Sequence, residues 1–214
     1  MIDYQITACI EYDELHRLIS HINQVRREED KIYVVLDKTN TNIEMENLLK
    51  EYDITYKVAQ WNSMKESFDI LKNLGSNETI FGMCPDELPS IDLLNFAMYE
   101  FEHTTYDAIA VPRINIFSDL TPESVQKMYT GNREQDYLLK EPINEYGWHC
   151  WPDYQIRIHQ RHIPITWGSH LHSGPTGFKN LGVLPADPRF ALTHIKTISH
   201  QERILKNQDA KGYY

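Results

Sequence analysis

Cysteine is scarce in these 214 residues: Cys9, Cys84 and Cys150 are too few and too scattered for a disulfide framework, and no CxxC pair offers a thiolate metal site. That scarcity fits a reducing compartment, and a cytoplasmic protein is expected. Long apolar runs are missing too. Nothing approaches the roughly 20 apolar residues that a membrane-spanning helix needs. Residues 1–6 carry neither a basic leader nor an apolar core, so no signal peptide is expected. Basic residues are outnumbered, 21 Lys and Arg against 31 Asp and Glu, and the net charge of -10 repels polyanions at long range. An extended DNA or RNA groove is therefore disfavoured, although a local basic patch could hold a nucleotide. The GxGxxG dinucleotide fingerprint is absent, and so are internal repeats and low-complexity segments.

What remains is an ordinary globular composition, 41% hydrophobic and 24% charged, at a length that fits one domain able to bury its own core. β-rich runs at 4–10, 31–36, 55–58 and 79–83 alternate with helical spacing at 13–26, from Thr41 or Asn42 onward, and at 63–74. Such alternation implies βαβ units, hence an α/β fold with a Rossmann-like, mostly parallel central sheet flanked by helices. Beyond residue 90 the pattern predicts a helix over 93–101 and one strand over 108–117. Two paired strands over 154–159 and 163–171 follow, with a loop at 174–177 and a helical piece around 190–206. A cluster at 132–136 reads as a loop.

The run from Ile80 to Glu87 is the most informative stretch. A continuous apolar segment reads as a strand buried on both faces, and here it ends in Asp86 and Glu87. Open α/β sheets place their ligands at the carboxyl ends of strands, and hard carboxylate oxygens suit a divalent cation bridging a phosphorylated substrate. The plainer reading is that Pro85, Asp86 and Glu87 make a turn and start a helix. Seven of the ten histidines fall between His149 and His200, among them the pairs His159/His162 and His170/His172.

Several short motifs recur in a telling order. Tyr12, Asp13 and Glu14 follow the first strand, and Asp37 closes the second ahead of a Thr/Asn-rich turn to Asn42. Trp61 and Phe68 come next, then Cys84, Pro85, Asp86 and Glu87. Arg113 lies within the segment 111–115. Asp153, Gln155 and Arg157 are spaced as in Pro-Asp-x-Gln-x-Arg, and Trp167 to His172 precedes a late His194. In this order the chain resembles, from about residue 5 to 205, the GT-A fold of family 2 glycosyltransferases, especially small members of the lipopolysaccharide-core type.

The resemblance implies a single GT-A domain over 1–214, with a nucleotide-binding half to about residue 90 and an acceptor-side half beyond. It implies a nucleotide-sugar donor, a UDP-sugar by preference, with Asp37 on the base and Glu11 and its neighbours along the nucleotide. Asp86 would hold a divalent cation, Mn or Mg, with His172 and His194 as further ligands. Arg113 and Arg157 would serve the donor, Arg157 gripping a phosphate or the base carboxylate. Glu87 would orient Asp86 or bind donor hydroxyls. Asp153 would be the general base of an inverting transfer. One departure stands out, because Cys84 occupies the place of the first Asp of the DxD motif, and a neutral thiol is a poor ligand for oxygen-preferring cations.

Acceptors compatible with this reading are a lipopolysaccharide or capsular glycan, a small metabolite, or a hydroxymethylated nucleobase, with Trp148, Trp151 and Trp167 as candidates to line the pocket. Two other readings compete. Cys84, together with Asp69 where the family often has Asn, favours a catalytically inactive nucleotide- or glycan-binding module. The histidine pairs, with Asp86 or Asp153, would suit a metal-dependent hydrolase.

Overall fold

The structure is a computed structural model and describes residues 1–121, 143–167 and 174–199. A seven-stranded sheet forms its centre. Its strands are β1 (Ile2–Ala8), β2 (Lys31–Asp37), β3 (Thr55–Ala59), β4 (Thr79–Met83), β6 (Ala108–Val111), β8 (Gln155–Gln160) and β9 (Leu181–Val183), in the spatial order β3-β2-β1-β4-β8-β6-β9. The pairs β3–β2, β2–β1 and β1–β4 are parallel, and β8 runs antiparallel between β4 and β6. Every residue of β1 and β4 is buried, as strands covered on both faces require.

The crossover helices form where predicted. In α1 (Tyr12–Asn23), Leu15, Leu18, Ile19 and Ile22 fall on one face and are buried. α2 (Ile43–Glu51) starts at Asn42, whose side chain accepts the Met45 N–H at 3.0 Å. α3 (Met64–Lys72) starts at Ser63, which accepts the Glu66 N–H, while Glu66 reaches back to the Asn62 N–H at 2.8 Å. Parallel strands joined by these helices bring the carboxyl ends of β1, β2 and β4 to one edge, so Cys9, Asp37 and Cys84 come to that edge.

The second half departs from expectation in three places. The strand expected over 108–117 is two strands, because Pro112 has no N–H to give a ladder. β6 stays in the central sheet and β7 (Arg113–Phe117) leaves it. Residues 155–160 do not pair with 163–167; β8 instead fills the gap between β4 and β6. Residues 192–196 are a strand, β10 (Leu192–Lys196), with Leu192 and His194 buried and Ile195 exposed in alternation rather than at helical spacing. The expected helix beyond 199, the loop at 132–136, His170 and His172 lie outside the described residues.

β10 is the middle of a three-stranded sheet, between β7 and the short β5 (Glu87–Pro89). Its register sets His194 opposite Glu87 on one side and Asn115 on the other. α4 (Ile91–Asn95) and the helical turns that follow it to His103 pack Leu93, Leu94, Phe96 and Phe101 into the main core.

Candidate active site

The chain turns sharply after β4. Cys84 N–H donates to Glu87 Oε2 and Glu87 N–H donates to the Cys84 carbonyl, both at 3.1 Å. This turn carries Glu87 into β5 beside β10, where its side chain is 1% exposed, so it starts a strand rather than a helix. Two arginines meet it there. Arg157 on β8 forks onto the carboxylate, Nε to Oε2 at 3.0 Å and Nη2 to Oε1 at 2.6 Å, and Arg113 Nη1 adds a third bond at 2.9 Å. Burial alone would raise the Glu87 carboxyl; the charges of Arg157 and Arg113 overcome it and hold it far below the usual carboxylate range. Burial opposes the Arg157 charge as well, and Glu87 restores it.

Arg113, not Arg157, holds Asp153. Its Nε and Nη2 donate to Asp153 Oδ2 at 2.9 and 2.5 Å, and Asn115 Nδ2 donates to the same oxygen at 2.9 Å. Gln155 Nε2 donates to Oδ1 at 2.8 Å. Burial works against ionisation of Asp153, but Arg113 and then Asn115 outweigh it and leave the carboxyl below its ordinary range. At neutral pH it is a carboxylate in a fixed orientation, with 25% of its side chain open to solvent.

The same asparagine leads to Asp86. Both acceptors of the Asn115 amide, Asp153 Oδ2 and the His149 carbonyl, can only accept, so its Oδ1 faces His194 Nδ1 as an acceptor at 2.8 Å. Nδ1 therefore carries a proton. The other ring nitrogen, Nε2, lies 2.9 Å from Asp86 Oδ2. Burial would raise the Asp86 carboxyl, and the hydrogen bond and charge of His194 bring it below its ordinary value. One hydrogen-bonded chain thus runs from Asp86 through His194 and Asn115 to Asp153, then through Arg113 to Glu87 and Arg157.

Glu11 and Asp37 form a separate cluster on the same edge of the sheet. Glu11 Oε2 takes the N–H groups of Cys9 and Ile10 at 2.8 and 3.0 Å. Asp37 Oδ1 takes the Thr39 N–H at 3.0 Å and Oδ2 the Asn40 amide at 2.5 Å, an Asx-type turn. The Cys9 thiol lies 4.0 Å from Asp37 Oδ2, and burial, then Glu11 and Asp37, push it up to about 12.

For a cation, Asp86 Oδ2 is the available carboxylate oxygen, and His194 Nε2 could join it only after giving up the proton it shares with that oxygen. Glu87 is consumed by its arginines, and the Cys84 thiol is pushed up by burial and stays protonated. Magnesium-type sites commonly use one or two carboxylates and take their remaining ligands from phosphates and water. A single carboxylate on the open side of the network, its side chain 26% exposed, fits that kind of site. Among the described residues no three His, Cys, Asp or Glu gather into a closed cage. His159 is buried on β8 and pushed down to about 4 by burial, hence neutral, while His162 is exposed.

Lys196 was not anticipated. It lies two residues beyond His194 on β10, so the two share a face. Its Nζ sits 5.3 Å from the Phe117 ring centroid. Burial and then Arg113 press its ammonium down to about 8, while Asp86 and Asp153 act in the opposite sense. Reading 192–196 as a strand would have found it by its spacing alone. The tryptophans also divide. Trp167 stacks on Phe68 at 4.1 Å in a cluster with Val35, Leu71 and Trp61, apart from the Trp148–Trp151 pair.

The architecture has solved counterparts. TarS of S. aureus, residues 1–349, is similar with a TM-score of 0.54 and 12% identity, over 92% of this chain and 60% of that one. The same fragment in complex with UDP-GlcNAc gives a TM-score of 0.58 at 14% identity, over 92% and 59%. The mannosyltransferase PcManGT from Pyrobaculum calidifontis, in complex with GDP-Man and Mn2+, gives 0.60 at 11% identity, over 97% and 61%. The chain has the GT-A fold. It spans about three fifths of the length of these three structures. No protein-family model and no curated protein matches the sequence. Among the described residues no helix is long and apolar enough to cross a membrane.

Proposed function

We propose that this GT-A chain is a glycosyltransferase that moves a sugar from a nucleoside-diphosphate donor, a UDP-sugar by preference, to an acceptor hydroxyl with inversion. The observation that carries the reading is the hydrogen-bonded chain joining Asp86 to Asp153 at the carboxyl edge of a nucleotide-sugar fold. Asp37 and Glu11, at the ends of the neighbouring strands, take the nucleoside side. Asp86 and His194 would hold a divalent cation, with His172 proposed as a further ligand. Once bound, that cation supplies Lewis-acid neutralisation of the leaving diphosphate. Lys196 adds a cationic side chain for the same group.

Asp153 accepts the proton of the acceptor hydroxyl as its oxygen forms the new bond to the anomeric carbon. The bond from that carbon to the donor phosphate breaks, and the electron pair leaves with the nucleoside diphosphate. A depressed carboxyl is a weak base by Brønsted reasoning, but it is fully ionised and its position is fixed by four hydrogen bonds. Arg113, Asn115 and Gln155 act as positioning residues for it.

The second reading, an inactive binding module, draws on the Cys84 thiol in place of a carboxylate. Asp153→Asn separates the two. Calorimetry with UDP and manganese is expected to give the same affinity as the unmodified chain, and sugar transfer or donor hydrolysis should fall by about 10²- to 10⁴-fold. Near-normal turnover in this variant would overturn the base assignment. Donor binding by the unmodified chain without any sugar release would favour the binding module.

A further inference from the structure

The segment ahead of Asp153 is built as a pinned ledge. Asn144 Oδ1 accepts the N–H groups of Tyr146 and Trp148 at 3.0 and 2.9 Å, and Gly147 turns the chain at a φ of 78°. His149 N–H donates to the Asn115 carbonyl at 2.9 Å. Four residues later, Asp153 exchanges backbone bonds with Arg113 at 3.0 and 3.4 Å. Both ends of the 149–153 loop are thus fastened to β7, the strand whose side chains hold the Asp153 carboxylate.

On this frame three aromatic rings run together. Tyr146 and Trp148 lie 5.0 Å apart between centroids, and Trp148 and Trp151 lie 5.2 Å apart, edge to face. None of the three belongs to or packs against either hydrophobic core cluster of the described residues, whereas Trp61 and Trp167 pack against one. Tyr146 is 67% exposed and the two tryptophans are half-buried. Rings this large, fixed in place and outside the core, are surfaces for a flat partner.

The surrounding charge selects among partners that stack. Residues 144–153 hold Glu145 and no lysine or arginine, Asp153 at their end is paired with Arg113, and the whole chain carries -10. Phosphates of a nucleic acid are repelled there. Sugar hydroxyls, in contrast, donate to carboxylates while the C–H face of the ring lies on an aromatic. We infer that Tyr146, Trp148 and Trp151 form the acceptor subsite and that the acceptor is a carbohydrate, its ring stacked on this ledge with one hydroxyl presented to Asp153. Calling the ligand the acceptor rests on the glycosyltransferase reading; the affinity for sugar does not.

The test is calorimetric titration of the full chain, without donor, against neutral tetrasaccharides of the chito, malto, cello and manno series and a thymidine octanucleotide, with UDP plus manganese titrated separately. At least one tetrasaccharide is expected to bind. Trp148→Ala or Trp151→Ala should weaken it about tenfold, and the exposed Tyr146→Ala about threefold, with UDP affinity unchanged as the check on folding. The inference is overturned if UDP binds and no tetrasaccharide does, if the three variants bind sugar like the parent, or if the octanucleotide is the tighter ligand. Failure of the parent to bind UDP would instead strike the donor reading, and tetrasaccharide binding lost in the ledge variants would still support the ledge.

Discussion

The sheet buries charge at both of its ends, and the two ends solve the problem differently. At the amino end, Asp3 and Asp30 are fully buried, each against one arginine. Arg161 bonds Asp3 and spends its other donors on the Asn77 and Lys72 carbonyls, both at 2.6 Å. Arg27 forks onto Asp30, which also takes the N–H groups of Ile2 and Arg27. The remaining bonds of both pairs go mainly to backbone, although Arg27 also lies 3.6 Å from Glu29 and Asp3 Oδ1 has no hydrogen-bond partner. At the carboxyl end, two arginines share one buried glutamate, and the network then runs outward to Asp153 and Asp86, whose side chains are 25% and 26% exposed. A closed pair is a fastening. A network that ends on oriented, partly open carboxylates is a place where chemistry can be done.

The contrast is sharpest where one partner is removed. Glu87→Gln leaves two buried guanidinium groups facing a neutral amide, and arginine cannot shed its proton. The expected loss is toward the upper end of the 3–5 kcal/mol range for breaking a buried pair, read from denaturant unfolding. Donor binding should fall as well, because Arg113 and Arg157 re-aim. The ionised Glu87 also makes stability pH-dependent: its carboxyl is depressed in the folded state, so its contribution is complete above about 4.5 and is lost as the pH falls further.

Arg161→Met breaks the amino-end pair, and there the orphaned group is an acid. Burial already raises the Asp3 carboxyl above its usual value, with Arg161 the main opposing charge, so Asp3 takes up a proton when its partner leaves. A loss of about 3 kcal/mol, the low end of the same range, is expected, with UDP affinity unchanged. If Glu87→Gln proved the milder of the two, the proposed asymmetry between orphaned acids and orphaned arginines would be wrong.

The same contrast explains what could be read beforehand. β4 was legible with its correct bounds because a strand covered on both faces is apolar throughout, and the residues that end it, including Asp86, were legible with it. The helix starts are local chemistry: Asn42 is one of the two caps expected for α2, and the helix expected over 63–74 begins one residue later, with Ser63 as its cap. The small sheet was not legible. β5 has three residues, its partner β10 lies about a hundred residues away, and the five residues of β10 mix polar and apolar types too briefly to show a period. Misreading β10 as helical hid Lys196 and left His194 without its neighbours. Alternation along the strand expected over 154–159 would put Gln155 and Arg157 on one face, but the register of β8 against β6 shifts at Arg157, and alternation in any case does not say which carboxylate a guanidinium chooses. Arg157 chose the more deeply buried one, where its charge is most needed, and Arg113 took Asp153.

Lys196 gives the smallest effect and tests whether the open end handles phosphate. Its ammonium is pressed down to about 8 by burial and by Arg113, so it is mostly charged at pH 7 and loses that charge as the pH rises through 8. An anion held partly by this group should bind well below pH 8 and more weakly above it. UDP affinity, measured by calorimetry with manganese fixed, is expected to fall about tenfold, or 1.4 kcal/mol, between pH 7 and 9.5. Lys196→Met should show that weaker affinity already at pH 7 and no further fall near pH 8, because the group that titrates is gone. Asp86 and Asp153 stay ionised across the whole interval, since both carboxyls lie below their ordinary values, and so contribute no slope of their own. A parent protein whose UDP affinity is flat from pH 7 to 9.5 would mean that Lys196 does not meet the diphosphate, and the charge at this end would then have to come from Arg113 and from the cation proposed at Asp86.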